Sequence, residues 1–108
     1  MMRRMSEADW KVFREVHAIA LERFCERVLG EVGDLLPDDG RSAHERYLAA
    51  YDLIQQRDKE LANAFGDFSR STAWQQLAII HARGLMTENE LARFSDETRE
   101  VVNLYRGL

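Results

Sequence analysis

An all-α fold is predicted by three features of the sequence. Chain breakers are scarce, with one proline (Pro37) and six glycines in 108 residues. Apolar residues recur by threes and fours rather than by twos, the spacing that fills one helix face. Capping signatures stand just ahead of those apolar runs. The expected architecture is a long antiparallel helical hairpin followed by two or three shorter helices, the bundle being completed by dimerisation.

The first helix is expected over about 7–32. "SEAD" places Ser6 at the N-cap and Asp9 three residues on. Met5 and Trp10 flank it as a hydrophobic staple. Its apolar face runs Trp10, Phe13, Val16, His17, Ala20, Leu21, Phe24 and Val28, and Gly33 is the expected stop. "GDLLPDDGR" supplies a turn over 33–42, where Leu35 and Leu36 are expected to fold back over the end of the hairpin. Ser42 and Glu45 form a capping box for a second helix over 43–65, carrying Tyr47, Tyr51, Ile54, Leu61, Phe65 and Phe68 on one stripe.

Beyond Phe65 the stripe changes sides. Trp74, Leu77, Ala78 and His81 fall almost opposite Leu61, Phe65 and Phe68 on a straight wheel. Either the helix breaks between Gly66 and Thr72, or one long helix serves two partners. The glycine and the Ser/Thr residues there favour the break, with the next helix over 72–83. "GLMTENEL" then combines Gly84 as a C′ residue, Thr87 and Glu90 as a capping box, and Met86 with Leu91 as a staple. C-terminal helices are expected over 88–106, interrupted at Ser95. This turn is similar to the closing turn of bacterial SHOCT-type short C-terminal domains. The resemblance rests on capping chemistry and implies local geometry without a function.

Charge and composition exclude several roles. The net charge of −4 and the lack of a basic stripe argue against nucleic acid. A helix-turn-helix reading of residues 74–94 would set Glu88 and Glu90 against phosphates. No apolar run is long enough to span a membrane, and "MMRRM" leads into no apolar signal segment. Cys25 is alone, which fits a cytoplasmic, reducing setting.

One residue breaks the second stripe. The step between Ile54 and Leu61 lands on Asp58. If the first two helices pair so that residue numbers sum to about 75, Asp58 meets His17, the one polar residue in the middle of the first helix's face. That pair reads as a pin on helix register, or as a His17–Asp58 dyad with the histidine a general base; the third reading is that either residue faces solvent or a subunit boundary. No nucleophile, glycine-rich phosphate loop or metal-ligand spacing accompanies it, so no catalytic residue, cofactor or metal site is assigned. Trp74 to Ala82 is apolar nearly all round. Trp74, Leu77, Ile79 and Ile80 are therefore the expected interface of a homo-oligomer. The functional expectation is a non-enzymatic interaction or regulatory protein. The rival is a small ligand-binding or hydrolytic bundle built on the dyad, and nucleic-acid binding stands third.

Overall fold

The computed structural model describes residues 4–106. Arg3, in the basic opening stretch, lies outside them. The chain forms five helices: α1 Glu7–Leu35, α2 Ala43–Phe65, α3 Ala73–Ala82, α4 Glu88–Leu91 and α5 Asp96–Arg106. No strand occurs among the described residues.

Local chemistry sets the helix starts. Ser6 Oγ accepts from the Asp9 backbone N–H at 3.2 Å. Ser42 with Glu45, and Thr87 with Glu90, make complete capping boxes, each satisfying donors a helix start leaves free. α1 does not stop at Gly33 but runs on to Leu35. A Cβ at Gly30 or Gly33 would meet nothing within 4 Å, so both glycines stand on an open helix surface and cost only propensity. Leu36 is exposed rather than folded back, and Leu35 is half-buried.

The break between α2 and α3 has two causes. At Gly66 a Cβ would come within 2.5 Å of the Ala62 carbonyl oxygen. Asp67 then takes a positive φ of 53°, a region costly for most side chains and tolerated by Asp. Gln76, buried on α3, donates from Nε2 to the Gly66 and Asp67 carbonyls and ties the turn down. Gly84 ends α3 with φ 69°, in the left-handed C′ conformation that glycine tolerates best.

Two arginines one turn apart on α1 hold that C-terminus. Arg27 donates to the Arg83 and Gly84 carbonyls at 2.9 and 2.7 Å. Arg23 donates to the Leu85 carbonyl and forks onto the Glu90 carboxylate at 2.6 and 2.9 Å. The Arg23 hydrogen bonds outweigh the effect of burial and pull the Glu90 pKa down to about 2. The core lies at this end. Phe13, Val16, Ala20 and Phe24 of α1 pack with Ala64 and Phe65 of α2, Leu77 and Ile80 of α3, and Leu85, Met86, Leu91, Phe94 and Val102 beyond.

α2 lies beside α1 with earlier residues of one meeting later residues of the other. Phe24 and His17 reach Phe65, and Glu31 reaches Arg57. His17 thus meets a residue two helical turns beyond Asp58, a displacement of about 10 Å from the register read from sequence. The cause is the longer α1 together with a connection that lets the first turns of α2 project past its end.

Candidate interaction surface

A buried carboxylate joins the first and last helices. Asp9 accepts from the Ser95 backbone N–H at 2.9 Å, from Ser95 Oγ at 2.5 Å and from Thr98 Oγ1 at 2.6 Å. Trp74 Nε1 donates to Thr98 Oγ1 at 2.9 Å. Burial disfavours the charge on Asp9, but the hydrogen bonds from Ser95 and Thr98 outweigh it and hold its pKa below the usual value. The sequence offered Asp9 only as a capping residue of α1; it also holds Ser95, the residue ahead of α5, across a separation of 86 residues. Every Asp9 oxygen is engaged in this tie, so it is an anchor rather than a reactive group.

His17 and Asp58 are not brought together. The His17 ring lies 4.2 Å from the Phe68 centroid, with Phe65 and Phe13 at its edges. Its Nε2 is buried without a hydrogen bond. Burial pushes its pKa below the usual histidine value, and the Phe65 backbone only partly opposes this. Asp58 is exposed on the other side of the register shift. Among the described residues no three His, Cys, Asp or Glu side chains cluster so as to hold a metal. His81 Nε2 instead lies 3.2 Å from Glu88.

The apolar residues of α3 are covered by this same chain. Leu77 and Ile80 are fully buried, and Trp74 and Ile79 are partly buried against the core. α1, α2 and α5 all contact α3. A helix apolar on every side does need cover on every side. Here α5 and the α1–α2 pair supply it, and sequence reasoning had no means of placing α5 there.

The uncovered apolar surface is elsewhere. No residue from Cys25 to Asn63 is buried. This stretch holds the last three turns of α1 and nearly all of α2, an arm that helps stretch the molecule to 56 Å against a width of 27 Å. Leu29 is 68% exposed, Tyr47 66%, Tyr51 51% and Ile54 48%. Between the two helices runs a cavity of about 230 Å³ lined by Phe24, Cys25, Val28, Leu29, Ile54, Arg57, Asp58 and Leu61. At its edge Arg57 bridges Glu31 at 2.9 Å and Glu60 at 3.0 Å. Its hydrogen bonds hold the Glu31 carboxyl below the usual range. Asp58 makes no ion pair among the described residues.

The stripe that predicted the second helix is therefore two surfaces. Phe65 is buried and Leu61 half-buried, whereas Tyr47, Tyr51, Ile54 and Asp58 face outward. Asp58 lies where that stripe has already left the core, so it interrupts no buried seam. No described helix is long and apolar enough to cross a membrane. α4 has only four residues and its Glu90 is engaged by Arg23, so the helix-turn-helix reading has no recognition helix. No protein-family model, no curated protein and no solved structure matches this chain.

Proposed function

We propose that this protein is a non-enzymatic helical interaction module, working as a homodimer. Its α1–α2 arm, an antiparallel hairpin, is the surface on which it associates. One observation carries the reading: from Cys25 to Asn63 nothing is buried, although the arm carries Val28, Leu29, Tyr47, Tyr51 and Ile54. Helices draw most of their stability from tertiary packing of an apolar face. A contiguous apolar surface of this kind marks an association site. The lone thiol of Cys25 on the groove wall suits a reducing, cytosolic setting.

Amide hydrogen exchange tests the reading. In dilute protein, amides of residues 28–58 should exchange far faster than those of α3, because opening an uncovered helix pair exposes little new apolar surface. Protection should rise when the arm is covered. Arm amides as protected as α3 at the lowest concentration would show a self-sufficient rod that needs no partner, and would end the proposal. The dyad reading has no supporting geometry, since His17 and Asp58 sit on different neighbours.

A further inference from the structure

We propose that the cover is a second copy of this chain, docked antiparallel through α2 about a two-fold axis beside Tyr51. The inference rests on reading the arm as the homodimer's association surface, and it gives the pairing of the two copies. Its basis is the order of residues on the outward face of α2. His44, Tyr47, Tyr51, Ile54 and Asp58 follow one another by threes and fours and are all exposed.

An antiparallel two-fold pairing sets each residue against its mirror position along the helix. With the axis at Tyr51, His44 stands seven residues before it and Asp58 seven after it. The two tyrosines then meet at the centre. Tyr47, four residues before the axis, is set against Gln55 of the other copy and neighbours Ile54, three residues after the axis, at the mouth of the groove that Ile54 lines. At each end the His44 imidazole faces the Asp58 carboxylate of the second copy. Asp58, without an ion pair among the described residues, gains a donor, and His44 gains an acceptor.

Other registers lack this match. Moving the axis one turn toward the C-terminus sets Asp58 against the ring of Tyr51. Moving it one turn toward the N-terminus leaves Asp58 past the start of the other α2. A polar pair flanking an apolar seam is a known device for fixing helix register. For a chain of net charge −4, self-association also needs such local compensation. α2 is about 35 Å long, and the stretch from His44 to Asp58 covers about 21 Å of it. The α1 and α3 sides of α2 are already occupied within the chain, so this face is open to a neighbour.

The test combines oligomeric state with cross-linking at the axis. Tyr51→Cys in a Cys25→Ser background should oxidise readily to a covalent dimer, because only a residue on the axis meets its own copy. Leu104→Cys, exposed on α5, is the control and should not. Asp58→Lys should weaken the dimer about tenfold or more in sedimentation, and the exchange His44→Asp with Asp58→His should restore it to within a few-fold. These side chains are exposed, and helical circular dichroism confirms that each variant folds. A dimer in which Tyr51→Cys oxidises no faster than Leu104→Cys overturns the proposed pairing while the association surface stands. A monomer with fast-exchanging arm amides overturns the second copy as occupant and leaves a different partner. A monomer with protected arm amides overturns both.

Discussion

The stretches of α1 on either side of Cys25 make an instructive contrast. The first buries Phe13, Val16, Ala20 and Phe24. The second carries Val28, Leu29, Val32 and Leu35 at similar spacing and buries none of them. Both lie along one continuous helix of 29 residues. What differs is the company. The first lies under α3 and the segment that follows it, whereas beyond Cys25 the helix has α2 and, through Arg27, only the end of α3. An amphipathic face is a request for cover, and a third element decides whether the chain answers it itself.

Core truncation should separate the two ends most strongly. Leu77→Ala, at a fully buried site, should cost about 3–5 kcal/mol in denaturant melts. Leu29→Ala, which is two-thirds exposed, should cost less than about 0.5 kcal/mol in dilute protein. Equal losses at both sites would mean that the arm is already packed in solution.

The Asp9 tie comes next. Asp9→Ala strands the buried Thr98 hydroxyl and the Ser95 backbone N–H ahead of α5, and should cost about 2–3 kcal/mol. Its loss should loosen α5 and leave the exchange of α2 amides unchanged. The acid side of the stability curve gives a further separation. Glu90 has a folded pKa of about 2 against an ordinary 4.5. A depressed carboxylate pKa contributes stability that is complete above the unfolded value and is lost as pH falls through the folded one. Stability should therefore decline between about 4.5 and 2, with Asp9 adding to the same loss from its own lowered pKa. Glu90→Gln should flatten that slope in denaturant midpoints measured against pH.

The smallest effects belong to the arm. Gly30→Ala has open space for its methyl and should stabilise the arm by about 0.5–1 kcal/mol, read as slower amide exchange across residues 26–35. Asp58→Leu should be near neutral for folding of the single chain, since Asp58 is exposed. This replaces the cost of about 3 kcal/mol that a buried partner of His17 would have implied. A large loss on Asp58→Leu in dilute protein would restore that pairing.

Legibility in the sequence followed the range of the interaction. Ser6, Ser42 and Thr87 announce their helices because a capping hydrogen bond spans only three residues. Gly84 shows the end of α3 for the same reason. The site was harder to read. His17 and Asp58 stood out as polar residues on apolar stripes, but their partners depended on a register displaced by two turns. Gln76, which holds the α2–α3 turn, and Arg23, which grips Glu90, gave no signal beyond ordinary helix-surface residues. Nor did Asp9 disclose its bonds to Ser95 and Thr98, because nothing local links residues so far apart.

The sequence by itself determined that the chain is helical and where several helices begin, since spacing and caps act within a few residues. Only the tertiary structure decided which apolar stripe is covered. Leu77 and Ile80 looked like a partner's surface and became core once α5 and the α1–α2 pair closed over them. Tyr47, Tyr51 and Ile54 looked like core and were left outside. The physical reason is that burial belongs to a pair of surfaces, and a single stripe of residues holds only one of them.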